Sequence, residues 1–221
     1  MRRLLRENGL SLSLGLLFLV SVAGQVVAGR GEYNEELAQH GHPTVSVPAY
    51  LASGHFLESF FENWESEFLQ MAVFVLLAAK LKQKGSAESK SLDEAEDVDA
   101  DPREHRHDPR APGPVRRGGL VLALYEHSLS IALFALFLLS FAMHAVHGLR
   151  LANLEERAHD QPTMSLGEYL VSSRFWFESL QNWQSEFVAV LALVVLSIFL
   201  RERGSSQSKP VAAPHAETGS K

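Results

Sequence analysis

The chain alternates long apolar runs with stretches that contain few large apolar residues. Residues 10–29 and 129–146 contain no Asp, Glu, Lys or Arg. A membrane-spanning helix needs about 20 consecutive, mostly apolar residues, whereas soluble helices and strands spread their apolar residues by period. The mean hydropathy of −0.01 only averages over this unevenness. The pattern therefore predicts an all-α membrane protein.

The two apolar runs belong to segments that repeat each other. Residues 4–90 align without gaps with residues 123–209, and about 34 of roughly 87 positions are identical. The identities go beyond leucine, which any two apolar helices share by composition. They include Asn63/Asn182, Trp64/Trp183, Pro43-Thr44/Pro162-Thr163 and Tyr50-Leu51/Tyr169-Leu170. We interpret the chain as a tandem duplication of a two-helix unit.

Each repeat predicts the same order of elements. A first transmembrane helix and a polar loop precede an amphipathic extension and a second apolar helix. The predicted positions are 9–28, 49–63 and 64–81 in the first repeat, and 128–147, 168–182 and 183–200 in the second. The second helices are short for a bilayer, so a re-entrant or surface position is the alternative for them. The leading prediction is four transmembrane helices.

The basic residues next to the apolar runs predict the orientation, because they concentrate on the cytoplasmic side. They are Arg2, Arg3, Arg6, Lys80, Lys82, Lys84, Arg116, Arg117, Arg201 and Arg203. With four spans, all of them lie on one side, which puts both termini in the cytoplasm and makes the two repeats parallel. A cleaved signal peptide is the alternative for the N-terminus, but the same segment aligns with the third predicted helix.

Outside the repeats the chain is polar. The predicted organisation is a first transmembrane repeat at 1–90, a linker at 91–119, a second repeat at 120–209 and a tail at 210–221. The linker contains a run of acidic residues and cannot bury enough apolar area to fold, so we expect the linker and the tail to be disordered. The net charge of −6 comes largely from this segment, and we expect no nucleic-acid partner.

The sequence N-W-x-S-E-F occurs twice, at 63–68 and 182–187. On a helix, residues three and four apart share one face, so the motif places three polar side chains together in each repeat. These candidate ion-site residues are Asn63, Ser66, Glu67, Asn182, Ser185 and Glu186. Its aromatic residues are predicted to anchor the helices at the membrane interface. They are Trp64, Phe68, Trp183 and Phe187.

A carboxylate close to the bilayer boundary needs a partner, because its burial in an apolar medium is costly. Two explanations stay open for Glu67 and Glu186. In one, the repeat symmetry brings both carboxylates together, where they bind a cation or share a proton. In the other, each forms interhelical hydrogen bonds with neighbouring Asn and Ser side chains that hold the helices together.

Histidine supplies the weakest candidate chemistry. His144 and His147 stand three residues apart near the outer end of the third predicted helix, and histidine is a common metal ligand. Their counterparts in the first repeat are Gln25 and Ala28, so the duplication does not preserve the pair. The chain has no cysteine, which excludes disulfides and thiolate ligands. No catalytic or nucleotide-binding motif occurs, and no cofactor or metal is predicted.

The doubled N-W-x-S-E-F, the segment RFWFESLQNWQSEF at 174–187 and the GSxxSK after each second helix resemble a family of small duplicated bacterial membrane proteins catalogued as a domain of unknown function. The resemblance covers nearly the whole chain outside the linker and the tail. It implies the bacterial cytoplasmic (inner) membrane as location and the lipid bilayer as partner. It implies no activity.

Three functional hypotheses follow. The first is a non-enzymatic structural or regulatory membrane protein that forms homo-oligomers through its helices. The second is a small ion or proton channel or transporter in which Glu67 and Glu186 line a polar path. The third is a membrane-bound metal-site enzyme that uses the outer histidine and glutamate residues.

Overall fold

The computed structural model describes residues 2–219, and within this range the chain forms helices and no strand. Four helices are long and four are short. They are α1 (Arg2–Gln39), α2 (Val47–Leu51), α3 (Gly54–Lys80), α4 (Gly113–Arg117), α5 (Gly119–Glu126), α6 (Ser128–Ala158), α7 (Leu166–Leu170) and α8 (Ser173–Phe199). The all-helical prediction is confirmed.

The long helices extend beyond their apolar runs. Helix α1 continues to Gln39 and α6 to Ala158, whereas the apolar pattern predicts ends near positions 28 and 147. The additional turns are rich in charged residues and in good helix formers such as Glu, Arg and Leu. Helix formation does not require apolar side chains. Each helix therefore continues past the apolar stretch that predicts a membrane span.

The predicted amphipathic extensions are broken near their start and then continue into the next helix, since residues 54–63 lie in α3 and residues 173–182 lie in α8. In each repeat a five-residue helix, α2 or α7, is separated from α3 or α8 by a turn. The Ser53 hydroxyl accepts from the Phe56 amide at 3.2 Å and donates to the Tyr50 carbonyl at 2.6 Å. A serine directly before a helix accepts a hydrogen bond from an amide of the first turn, which has no partner within the helix. Ser53 therefore stabilises the start of a separate helix, α3.

Within residues 2–219, three helices, α1, α6 and α8, are long and apolar enough to cross a membrane. Helix α3 has the same 27 residues as α8, but Glu65, Glu67 and Lys80 interrupt its apolar part. The apolar part of α1 is entirely unburied. Such a surface is typical of contact with lipid, because soluble proteins do not expose apolar patches of this size. The fourth span stays a prediction.

The chain divides into two compact units. The first consists of the chain up to Phe61 together with Ala142–Phe175. Its core is aromatic, with Tyr50 2% exposed and both Tyr169 and Phe175 fully buried. Each tyrosine hydroxyl lies directly against a glycine: a Cβ atom on Gly29 would collide with Tyr50 Oη, and one on Gly148 with Tyr169 Oη.

The hydrogen bonds that hold a loop in the first repeat recur in the second repeat, at positions 119 residues later. The Val45 amide donates to the Asn34 side chain at 2.7 Å, and the Met164 amide donates to the Asn153 side chain at 2.7 Å. Both asparagine side chains also donate to the carbonyl of the same partner residue. These contacts fix the loop after α1 and the loop after α6 in the same way.

The second unit consists of Glu62–Phe141 together with the chain from Trp176 onward. Its linker contains two 3₁₀ turns, at Asp97–Asp99 and Pro102–His105, as well as α4. Directly before the tail, Lys209 is 1% exposed, and its Nζ donates to the tail carbonyls of His215 at 2.9 Å and Glu217 at 2.8 Å. The predicted disorder of linker and tail stays a prediction.

Candidate polar site on helices α3 and α8

The hydroxyl groups of the doubled motif bond within their own helices. Ser66 Oγ donates to the Asn63 carbonyl and Ser185 Oγ to the Asn182 carbonyl, both at 2.8 Å. This bond from serine to a carbonyl of the preceding turn is common inside helices. In α3 the motif residues do not share one environment, because Ser66 is buried while Asn63 and Glu67 are exposed.

The carboxylates that connect α3 to α8 are Glu62 and Glu65. Glu62 Oε1 accepts a short hydrogen bond from Asn182 Nδ2. Glu65 Oε1 accepts from the indole nitrogen of Trp183 at 2.8 Å. Glu65 is fully buried. A buried carboxylate requires hydrogen-bond donors to offset its lost hydration, and here the donors come from the partner helix.

Neither Glu62 nor Glu65 is identical in the two repeats. The residues 119 positions after Glu62 and Glu65 are Gln181 and Gln184, and both glutamines are exposed. The sequence analysis missed these acids because it selected the residues that are identical in both repeats. The differences between the repeats, Glu62/Gln181 and Glu65/Gln184, are the signal that identifies them.

Glu67 and Glu186 are close enough to interact electrostatically. Glu67 is exposed and Glu186 is half-buried. Both side chains are less buried than that of Glu65, and the convergence of the two glutamates on one ion site stays a prediction.

The motif aromatics occupy different surroundings. Trp64 packs edge-on against Phe68 at 5.8 Å, and Phe187 is 40% exposed. Trp183 contacts Trp176 at 6.1 Å and Phe137 at 6.3 Å, both edge-on. Trp183 therefore packs between aromatic rings while its N–H holds Glu65. Its role as an interface anchor stays a prediction.

Two buried hydroxyls lie in the same unit. Ser140 on α6 is 2% exposed and Ser179 on α8 is 1% exposed. Ser179 precedes Asn182 and Trp183 by three and four residues, so it stands on the same face of α8. Its Oγ is buried without a hydrogen-bond partner. The face of α8 that carries Asn182 and Trp183 therefore carries a further buried oxygen, one turn earlier.

The second unit also contains a groove of about 360 Å³ between the C-terminal halves of α3 and α8. Its walls are largely apolar, with Phe74, Leu77 and Leu191 among them, and Glu88 also lines it. Oε1 of Glu88 is buried without a hydrogen-bond partner. Burial raises the pKa of this carboxyl above its usual value, because an apolar environment disfavours the charged form.

The histidines of α6 belong to the first unit. His144 is fully buried and His147 is 6% exposed. The metal-ligating atoms of His144 and Glu58 lie within 4.8 Å of each other. The sequence analysis did not select Glu58, because only the approach of α3 to α6 brings it to a histidine.

Comparison with known proteins gives one match. No curated protein and no solved structure matches the chain. One family model matches residues 1–220, and its description is a domain of unknown function, DUF6766. This agrees with the resemblance that the doubled motif indicates. The chain therefore belongs to the DUF6766 family of proteins, whose function is unknown.

Proposed function

We propose that the protein is a non-enzymatic integral membrane protein of the bacterial cytoplasmic membrane, with a structural or regulatory role. The observation that carries this proposal is the hydrogen bond from Trp183 to the fully buried Glu65. A membrane protein retains such a buried acid only when a neighbouring helix compensates it. Glu65 and Trp183 then act as a specific connection between α3 and α8.

The proposal includes four spans that arise by duplication. The paired contacts of Asn34 and Asn153, and of Gly29 and Gly148, support the duplication, because each pair is separated by 119 residues. Helix α3 would be the fourth span, since it matches α8 in length. Its acids are tolerated in the bilayer because Glu62 and Glu65 bond to α8.

The absence of native cysteine makes the topology directly testable. Single cysteines replace Lys84, after α3, and Gln161, after α6, and intact cells are treated with a membrane-impermeant maleimide. We expect labelling of Gln161→Cys in intact cells and of Lys84→Cys only after lysis. Labelling of Lys84→Cys in intact cells contradicts four spans with a cytoplasmic N-terminus.

The function is tested with the purified full chain in detergent and in proteoliposomes. A structural role predicts that Trp183→Phe weakens the fold or the association of subunits, and that the wild-type protein conducts neither protons nor sodium ions. Proton or sodium flux that disappears in Glu65→Gln while the fold is retained contradicts it.

A second candidate, an ion or proton channel or transporter, is favoured by the electrostatic interaction of Glu67 with Glu186. Two like charges in one membrane region favour a cation between them. This function predicts flux in proteoliposomes that the double variant Glu67→Gln/Glu186→Gln abolishes. Flux that is unchanged in this variant excludes the pair as part of the path.

A further inference from the structure

Two apolar helix faces line the groove of the second unit. The face of α3 consists of positions 73, 74, 77 and 78, and the face of α8 of positions 187, 190, 191 and 194. Residues three and four apart lie on one side of a helix, and such apolar faces normally pack against each other. Here a space of about 360 Å³ lies between them, and Leu77 and Leu191 are 49% and 59% exposed. The groove has the size of a small-molecule site, for which about 300–1,000 Å³ is usual.

The groove also has polar walls, and most of these come from the segment after α3. Lys82, Gln83, Glu88 and Ser89 line it, and all four follow Lys80, the last residue of α3. Helix α8 is apolar enough to cross a membrane, so its apolar face is suited to acyl chains. Apolar walls that adjoin charged side chains match the two parts of a phospholipid, an acyl chain and a headgroup.

Glu88 supplies a hydrogen-bond acceptor that needs a donor. No residue that the structure describes donates a hydrogen bond to its buried Oε1 atom. Burial raises the pKa of this carboxyl, because the charged form lacks compensation in an apolar environment. Buried polar atoms are almost always satisfied. A ligand cation with N–H groups satisfies this one, since it supplies both a charge and a donor.

Lys82 supplies a cation to the same groove. Its ammonium group donates to the Leu92 carbonyl at 3.1 Å, and its side chain is exposed. A lysine ammonium has three N–H donors, so it can hold this carbonyl and bind a phosphate oxygen as well. Lys82 and Glu88 together therefore offer one positive and one negative contact to a headgroup.

The charges select a zwitterionic headgroup. Purely basic pockets between membrane helices favour anionic lipids, but here Glu88 shares the groove with Lys82, and residues 93–101 of the same unit contain six acidic residues. These acids disfavour a headgroup of net negative charge. Phosphatidylethanolamine carries a phosphate for Lys82 and a primary ammonium for Glu88. Phosphatidylcholine carries the same charges, but its quaternary ammonium has no N–H to donate.

The second repeat serves as an internal comparison. The residues 119 positions after Lys82 and Glu88 are Arg201 and Gln207. Gln207 is exposed, and the Arg201 guanidinium donates to the carbonyls of Ser197 and Ile198 at 3.3 Å and 3.2 Å. The equivalent segment thus has no acid at this position, and its cation bonds to the end of its own helix. The combination of charges is specific to the first repeat.

We propose that the groove between the C-terminal halves of α3 and α8 binds one phospholipid with a primary ammonium headgroup, represented by phosphatidylethanolamine. An acyl chain lies between the faces that carry Leu77 and Leu191, the ammonium donates to Glu88, and the phosphate accepts from Lys82. This inference rests on the proposed membrane function. It adds a lipid to the contacts that connect α3 with α8.

The test uses the full chain in detergent, delipidated before the measurement. Native mass spectrometry measures the binding of phosphatidylethanolamine, phosphatidylcholine and phosphatidylglycerol with identical acyl chains. We expect one phosphatidylethanolamine per chain, bound about 10-fold more tightly than phosphatidylcholine, because the latter lacks the hydrogen bond to a charged group. Equal binding of these two lipids by the wild-type protein overturns the proposal, and so does tighter binding of phosphatidylglycerol.

Glu88→Leu removes the acceptor, so we expect the preference for phosphatidylethanolamine over phosphatidylcholine to disappear while both lipids still bind. The matched control is Gln207→Leu, the same replacement at the equivalent position of the second repeat, which should keep the wild-type preference. A preference that persists in Glu88→Leu overturns the proposal, and so does one that is lost in Gln207→Leu.

The place of the acyl chain is tested without a variant. A phosphatidylethanolamine with a photoreactive acyl chain is bound to the wild-type protein and irradiated, and we expect crosslinks to Phe74, Leu77 or Leu191. Crosslinks confined to α1 or α6 overturn the proposal. A dimer that survives delipidation and excludes the lipid assigns the groove to a second copy of the chain and also overturns it. The labelling of Lys84→Cys tests the membrane topology independently, so failure of this inference is distinguishable from failure of the proposed function.

Discussion

The indole nitrogen of Trp183 donates a hydrogen bond of 2.8 Å to Oε1 of Glu65. Trp183 has an identical residue at the equivalent position of the other repeat, Trp64, whereas Glu65 has Gln184. The contact thus pairs a side chain that both repeats retain with one that only the first repeat has. Two related but unequal repeats thereby form an asymmetric connection between α3 and α8.

Replacement of this tryptophan tests how much the connection contributes. Trp183→Phe retains the aromatic ring and removes the N–H, so the buried Glu65 carboxylate loses a donor. We expect the free energy of unfolding to fall by about 1–3 kcal/mol, the usual cost of leaving a buried polar group without its partner. Unfolding of the detergent-solubilised protein by heat or denaturant measures the change.

The control is a double-mutant cycle with Glu65→Leu. Without the carboxylate, Trp183→Phe removes no hydrogen bond, and we expect its effect to shrink well below that in the wild type. Equal effects of Trp183→Phe in both backgrounds show that the hydrogen bond does not contribute to stability.

The contacts between glycine and tyrosine allow a second test. Gly29→Ala places a methyl group against Tyr50 Oη, and Gly148→Ala places one against Tyr169 Oη. Because both tyrosines are buried, we expect each variant to lose roughly 1–3 kcal/mol, the typical cost of overpacking. Thermal unfolding measures the loss.

Gly24→Ala is the matched control, since no atom lies within 4 Å of the added methyl group. We expect it to be neutral or slightly stabilising, because alanine favours a helix more than glycine does. Tyr50→Phe removes the hydroxyl and leaves room for the methyl group, so Gly29→Ala should cost less in that background. A cost that persists unchanged argues against the collision with Tyr50 Oη.

The carboxyl of Glu88 predicts a dependence of stability on pH. Its pKa is raised by burial in the folded protein, so the folded state holds the proton more tightly than the unfolded state. This contribution is fully present below the usual glutamate pKa of 4.5 and is lost as the pH rises through the folded value. We therefore expect Glu88→Gln to be more stable than the wild type at pH 7, with the difference shrinking toward pH 4.

Glu168 provides a control of opposite sign. Hydrogen bonds from the backbone and the hydroxyl of Ser165 lower its pKa, so its contribution is present above the usual value and is lost as the pH falls through the folded value. Glu168→Gln should therefore be less stable than the wild type at pH 7, with the difference shrinking at acid pH. Parallel pH profiles of the two variants contradict one of the two assignments, and the sign of the common change shows which.

Asn34 and Asn153 each accept a hydrogen bond from a loop amide, so their replacement should change hydrogen exchange in those loops. In Asn34→Ala the Val45 amide loses its acceptor, and in Asn153→Ala the Met164 amide loses its acceptor. We expect faster hydrogen exchange at Val45 in the first variant and at Met164 in the second, because exchange reports local opening. Each variant is the control for the other. Faster exchange at both amides in one variant would show that the two asparagines do not hold their loops independently.

Much of the fold follows from the order of apolar and polar residues. The runs at 10–29 and 129–146 predict helices because a bilayer demands about 20 apolar residues in a row, and α1 and α6 contain them. The ends of these helices could not be predicted equally well. The residues after each run are polar and good helix formers, and polarity alone does not show whether such residues continue a helix or form a loop.

The candidate site was predicted only in part. The doubled motif contains Asn182 and Trp183, which bond to Glu62 and Glu65 of α3, while the ion site and the interface anchor predicted for them stay predictions. It points to Glu67 as the important acid of α3, whereas Glu65 is the buried one. Residues two apart on a helix are about 200° apart around its axis and point in nearly opposite directions, so the orientation of α3 about its axis decides which of the two glutamates meets α8.

By itself the sequence determined the helical class, the repeat at a constant offset and the segments that are apolar enough to enter a membrane. These properties depend on the composition and spacing of residues that are near one another in the chain. The tertiary structure alone decided that Glu65 meets Trp183 and that Glu58 meets His144. Such meetings depend on the rotation and approach of helices far apart in sequence, which local spacing does not specify.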